Sequence, residues 1–330
     1  MKTSVETDYP RSWYPISSSN SLRKGKMMAL RAFGLEWLVF RDNKNTVAFV
    51  GRYCCHMGAD LSRGKIVDGC IECPLHAWKF DSDGVCTGIP ALDGSREQLL
   101  QNKKLASLPV KEAYGLIFVF YGENPDFDIS QPRNMSQLRY GTSSRFVLPA
   151  DSHVPCLNTF DLQHYKHIHQ REFLKTPEII SNNPFHLGIE MDVRVVPNNL
   201  FNRFMFWLVG GEATICIDCW GASLLLMTNH KTGFGAIIGL LPVQKNLSSV
   251  FVLPIKNGGQ SANPVSKIID TFTLGIAGYL IRGFLRPDLN VLSGMKPFEG
   301  KLVDGLDDTA KRYWDYYRSL PSHSVDFSEK

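Results

Sequence analysis

Cys54-Cys55-His56, sixteen residues, then Cys73-Pro74-Leu75-His76: two short stretches each offer one thiolate and one imidazole. A [2Fe–2S] cluster with two Cys on one iron and two His on the other needs this ligand set. Mixed ligation also raises its potential well above that of an all-Cys cluster. The competing assignment is a structural zinc site, but zinc sites favour closely spaced C-x₂–₄-C pairs. Here each stretch holds one sulfur and one nitrogen. Pro74, between Cys73 and His76, stiffens the second loop.

Around these loops the chain has the texture of short β segments. Leu35 to Phe40 and Thr46 to Val50 flank the polar turn Asp42-Asn43-Lys44-Asn45, a hairpin with apolar and aromatic arms. Asp68-Gly69 between Ile66-Val67 and Cys70-Ile71 is a strong two-residue hairpin signal. Asp81-Ser82-Asp83-Gly84 makes another turn after Trp78-Lys79-Phe80. Leu108 to Val110 and Leu116 to Phe120 close the run. The expected organisation is a lead over 1–11, an all-β domain over 12–125 and a second domain over 126–330. Trp78 and Phe80 are expected to pack beside the ligand loops, and Cys55 to be a packed thiol.

The second domain reads α+β, one antiparallel sheet with helices around it. Ile189 to Val195 alternates with period two, and further strands are expected at 200–208, 213–220, 222–228, 234–241 and 249–254. Helical patterns cover about 157–169, 264–284 and 307–319, the last beginning at the acidic pair Asp307-Asp308.

The chain's 330 residues are 44% hydrophobic and 21% charged with net charge +4, ordinary for a globular protein and too mild for nucleic-acid binding. Eight cysteines are too sparse for a disulfide scaffold. Cys216-Ile217-Asp218-Cys219 has redox spacing, but its apolar β setting favours sheet residues. Cys70, Cys86 and Cys156 read as ordinary thiols, and His153, His186, His230 and His323 as ordinary polar positions. The first ten residues carry no apolar signal segment. The longest uncharged apolar stretch, 271–281, falls short of the roughly 20 residues a membrane span needs. A cytoplasmic protein without a transmembrane helix is therefore expected. The stretch 271–284 is expected to face the core, with membrane contact left open.

Residues 158–169 read Asn158-Thr159-Phe160-Asp161-Leu162-Gln163-His164-Tyr165-Lys166-His167-Ile168-His169, placing three of the nine histidines within six positions beside an aspartate. Two His and one carboxylate on one face hold non-haem Fe(II) and leave positions open. Spacing alone permits His164/His167, His167/His169 or His164/His169 as the imidazole pair.

With both motifs in view, the chain resembles the Rieske non-haem iron oxygenases over almost its whole length. C-x-H, sixteen residues, C-x-x-H is the Rieske signature, and Asn158-x-x-Asp161-x-x-His164-x-x-x-x-His169 matches the family's catalytic domain. The resemblance implies a helix-grip (START-like) catalytic domain. It implies His164 and His169 as iron ligands with His167 turned outward, Asp161 as a bridging carboxylate, and Asn158 near the metal. The third ligand is expected late in the chain. Asp288 in Phe284-Leu285-Arg286-Pro287-Asp288 matches best, although Pro287 stands where an acidic residue is common; Asp270 is the alternative.

The family's cofactors would be the [2Fe–2S] cluster on Cys54, His56, Cys73 and His76 and a mononuclear Fe(II), with O₂ as co-substrate. Its partners would be a ferredoxin or an NAD(P)H-dependent reductase. Its activity would be hydroxylation, demethylation or desaturation by a mono- or dioxygenase. Members form head-to-tail trimers, so His76 would meet Asp161 of the neighbouring chain. An apolar, medium-sized substrate is expected, with a pocket drawn from Phe201, Phe204, Phe206, Trp207, Leu224 and Met227. The alternative function is a Rieske electron carrier. The shielding disulfide of the respiratory type would need cysteines near Ala59 or Asp60 and at Leu75, and they are absent.

Overall fold

A computed structural model describes residues 8–92, 103–258, 264–295 and 301–325. The chain divides into two compact units, residues 1–126 with 322–330, and residues 127–321. The sequence reading placed the whole C-terminal tail in the second domain. In the structure Ser322–His323 pairs with Tyr9–Pro10, so the described end of the expected lead is a strand of the first unit. Residues 1–7 lie outside the described residues.

In the first unit, Lys26–Ala32, Leu35–Arg41, Val47–Gly51 and Ser107–Leu108 form one antiparallel sheet, and Trp13–Ser18, Leu116–Phe120 and Val110–Ala113 another. Trp37 stacks on Phe49 at 4.6 Å in its core. The small sheet Lys65–Val67, Cys70–Glu72, Lys79–Phe80 and Cys86–Gly88 turns at Asp68-Gly69 and at 81–84 as expected. One ligand loop leaves this sheet and the other leaves strand Val47–Gly51.

The two loops are built alike. Cys54 N–H donates to Ala59 O and Gly58 N–H returns to Cys54 O; Cys73 N–H donates to Trp78 O and Ala77 N–H returns to Cys73 O. Both need a left-handed residue four positions after the cysteine, Gly58 at φ +71° and Ala77 at φ +55°. Glycine takes that conformation at little cost, whereas alanine is strained there. The first loop is clamped at its base by a two-pronged ion pair: Arg52 Nε and Nη2 donate to Asp60 at 3.0 and 2.7 Å. Asp60 also accepts from the Ser62 backbone N–H at 3.0 Å.

The second unit is a nine-stranded antiparallel sheet among the described residues. Its main path runs Leu138–Tyr140, Leu247–Asn257, Phe234–Gln244, Leu224–Asn229, Glu212–Trp220, His186–Val195, Arg171–Phe173. Leu187, Ile189, Met191, Val193 and Val195 point into the core, and Glu190, Asp192 and Arg194 point away, as period-two patterning requires. Buried His186 is more than an ordinary polar position. Its Nε2 bonds Asp218 Oδ1 at 2.8 Å, and Asp218 Oδ2 accepts from Arg133 at 2.7 Å. Gly188 leaves room for this pair, since a Cβ there would lie 2.7 Å from Asp218 Oδ1.

The helices are α1 (Val154–Thr159), α2 (Leu162–His167), α3 (Leu200–Val209), α4 (Pro264–Leu292) and α5 (Asp308–Ser319). Three expectations change. The single helix over 157–169 breaks into α1 and α2, because Asp161 adopts extended backbone (φ −85°, ψ 103°) and caps α2 through Gln163 N–H. The strand expected at 200–208 is α3: Asn199 caps it by accepting from Asn202 N–H at 2.8 Å, and Gly210 ends it at φ +72°. The apolar stretch expected to face the core belongs to a 29-residue helix. Its Val265–Leu292 portion is long and apolar enough to cross a membrane, with only 11% of its most apolar window buried.

The Arg52–Asp60 clamp yields a pH-dependent prediction. Arg52 holds the Asp60 carboxyl well below the usual carboxylate range, so its contribution is present above that range and is lost as pH falls through the depressed value. Asp60→Asn is expected to lower the stability of the first unit by about 1–2 kcal/mol at neutral pH. Urea unfolding followed across pH should show the gap to the unsubstituted chain narrowing in acid.

Candidate metal centre

The structure brings to His164 and His169 a carboxylate 119 residues beyond the second of them. Ligand atoms of His164, His169 and Asp288 all lie within 4.8 Å of one another, and all three residues are buried. His164 sits on α2, His169 just beyond it, and Asp288 on α4. His169 Nε2 lies 3.0 Å from each oxygen of Asp288.

Each imidazole is held in a defined way. His164 Nδ1 bonds the main-chain carbonyl of Asp161 at 2.5 Å, which places the proton on Nδ1 and leaves the Nε2 lone pair free. Burial pushes His164 below the usual imidazole range against the opposing pull of Asp288, so the ring is neutral at neutral pH. The His169 ring stacks on Phe284 at 4.0 Å and 15°. Beyond Phe284 lies the guanidinium of Arg171, 5.7 Å from the ring centre. Arg171 also donates to His169 O at 2.6 Å and to Asn202 Oδ1 on α3 at 3.1 Å. Desolvation brings the buried Arg171 down to about 10.

The donor set fits a hard-to-borderline divalent cation. Asp288 Oδ1 is buried without a hydrogen bond, which is costly for a carboxylate unless a cation takes its place. Neutral imidazole and carboxylate are the set that holds non-haem Fe(II). Asp270 is not part of it: it pairs with Lys256 at 2.6 Å and Arg139 at 3.7 Å. His167 points outward and is exposed. Pro287 stands inside α4 without breaking it; its exposed position puts the missing N–H on the solvent side.

The triad opens into a cavity walled by Ile217, Leu225, Met227, Ile238, Val250, Phe284, Leu285 and Leu289, with Asn158 and Thr159 at its edge. Of the pocket residues expected from sequence, only Met227 is there. Leu224 is buried on the other side of its strand, Phe204, Phe206 and Trp207 face outward from α3, and the Phe201 side chain lies outside the described residues. The main-chain oxygen of Asp161 bonds His164, and its carboxylate caps α2.

In the first unit, Cys54 and Cys73 are buried while His56 and His76 are exposed, their rings 4.9 Å apart. Trp78 stacks on His56 at 4.3 Å and 5°. Burial pushes the Cys54 thiol up to about 12, with the neighbouring Cys73 adding to the shift. Two thiols held this close in an apolar pocket suit iron, whose charge stabilises both thiolates.

The comparisons agree with this geometry. A family model described as Rieske [2Fe–2S] domain matches residues 12–109. The aminopyrrolnitrin oxygenase PrnD of Pseudomonas fluorescens is 37% identical over 335 residues, covering 93% of this chain and 90% of that protein. The chain belongs to the Rieske non-haem iron oxygenases. A cholesterol 7-desaturase of Ciona intestinalis is 32% identical over 167 residues, 49% of this chain and 35% of that protein. The chain spans about a third of that relative's length. Its fold matches the terminal oxygenase of carbazole 1,9a-dioxygenase from Novosphingobium sp. KA1, with TM-score 0.72 at 17% identity over 96% of this chain and 93% of that one. The alternative of a lone Rieske electron carrier is set aside, because the match to PrnD extends through the second unit.

Sequence reasoning missed the Arg171–Phe284–His169 stack. The signal was faint: Phe284 stands four residues before Asp288, on the same helix face. In the metal-free chain, ring current from Phe284 should move the His169 ring protons upfield. Phe284→Leu is expected to return them downfield while those of His164 hold their position, as read by ¹H–¹³C correlation spectra of the imidazoles.

Proposed function

We propose that this chain is the terminal oxygenase of a Rieske system. It would carry out O₂-dependent hydroxylation, demethylation or desaturation of an apolar organic substrate, with electrons from NAD(P)H through a reductase or ferredoxin. One observation carries this reading: His164, His169 and Asp288 converge at an aliphatic cavity in a chain that also has the cluster loops. When bound, iron at the triad would supply oxygen activation, and the [2Fe–2S] cluster on Cys54, His56, Cys73 and His76 would supply electrons.

The chain's own residues do the rest. Asp161 O fixes the His164 tautomer so that Nε2 faces the metal position. Phe284 and Arg171 hold the His169 ring in its plane. The aliphatic walls exclude water and suit a substrate presenting C–H bonds. Thr159 spends its hydroxyl on Pro155 O at 3.0 Å. Asn158 is then the polar side chain at the cavity edge able to meet a polar atom of the substrate.

We place Asp161 at a junction between chains. One carboxylate oxygen caps α2, and the other is the one an exposed His76 of a neighbouring chain would meet in a head-to-tail trimer. A carboxylate that orients a ligating imidazole from outside is common around metal sites.

Two substitutions separate the parts. Asp288→Ala is expected to lower iron content by the mononuclear iron alone, leaving the mixed-ligand cluster spectrum intact and abolishing substrate oxidation. Asp161→Ala is expected to keep both metals, with turnover reduced about 10–100-fold. Metal analysis, EPR and O₂ uptake read both; coupled turnover at the normal rate in the Asp161 variant would remove it from the electron path.

A further inference from the structure

The N-terminal half of α4 presents an apolar stripe that nothing among the described residues of the second unit covers. Ile268, Phe272 and Tyr279 are 70%, 69% and 72% exposed, and Val265, Ile269 and Ile276 lie exposed along the same stripe. Their spacing of three and four residues places them on one helix face. Exposed apolar surface of this extent marks an interaction site rather than ordinary surface.

The opposite face of α4 is already engaged. Leu274 is buried, Gly278 lies so close to Pro254 that a Cβ would approach within 3.2 Å, and Asp270 and Thr273 bond Lys256 of strand Leu247–Asn257. The C-terminal half lines the metal cavity through Phe284, Leu285 and Asp288. A helix committed on one side to its own sheet cannot be surrounded by lipid, so the apolar length of Val265–Leu292 does not act as a span. It can lie on a bilayer.

Charge selects the occupant. The charged residue exposed along Val265–Tyr279 is Lys267, because Asp270 is neutralised by Lys256 and Arg139. A two-fold copy seated on this stripe would bring Lys267 against a cation of the same kind, with no acid to answer it. Anionic headgroups answer it directly, and aromatic residues with a basic neighbour are the composition of helices that lie in the membrane interface.

We propose that the outer face of α4 docks this protein onto an anionic phospholipid surface. The helix that meets the lipid is then the helix that lines the cavity. This binding stands independently of the oxygenase reading.

The test uses the full chain and needs no turnover. Vesicles of phosphatidylcholine with phosphatidylglycerol are expected to co-sediment the protein, and vesicles of phosphatidylcholine alone to do so less. Ile268→Asp combined with Phe272→Asp should weaken binding at least about tenfold. Lys267→Glu should weaken it only on the anionic vesicles. Both changes lie at exposed positions, and unchanged thermal melting by circular dichroism would exclude unfolding. Equal co-sedimentation of the double variant, or a wild-type chain left wholly in the supernatant, overturns the proposal. So does light scattering that shows the stripe joining copies of the chain, with an oligomer that the double substitution splits and vesicles that bind neither form.

Discussion

A buried carboxylate with one oxygen left without a hydrogen bond is the constraint around which the second unit is arranged. Asp288 reaches His169 from a helix 119 residues further along the chain. Such a group is tolerated only where a cation or a proton compensates it. The sheet supplies the dry surroundings, α2 and the residues just beyond it supply the imidazoles, and α4 delivers the carboxylate. The break between α1 and α2 belongs to the same arrangement. By capping α2 with its side chain and binding His164 with its carbonyl, Asp161 joins helix geometry to ligand orientation in one residue.

The first unit solves a different problem with small means. Its two loops repeat one hydrogen-bonding scheme, bury their sulfurs and turn their imidazoles outward. That asymmetry suits a group that must be shielded from water yet exchange electrons with partners. The Arg52–Asp60 clamp and the Trp78–His56 stack limit how far these loops can relax.

Where the sequence misled, the physical cause is identifiable. Leu200 to Val209 is so apolar that its composition could not distinguish strand from helix, and the deciding signals were short: Asn199 as a cap and Gly210-Gly211 as a stop. Those aromatic residues were expected to line a pocket, yet they face outward, because a helix in that place points Phe204 and Trp207 away from the sheet. The pocket walls instead come from alternate residues of strands whose inward face depends on register, such as Leu225 rather than Leu224.

The sequence by itself determined the local chemistry: one Cys and one His on each of two loops, two histidines beside an aspartate, and the hairpin turns at Asp68-Gly69 and 81–84. These are encoded within a few residues of one another, where spacing and turn propensity act directly. Only the tertiary structure brought Asp288 rather than Asp270 beside the histidines, because both lie on α4 and the outcome depends on which turn faces the histidines and which faces Lys256. It also decided that α4 presents an apolar stripe outward. Hydropathy reports how apolar a helix is, but which side is covered depends on the strand it packs against.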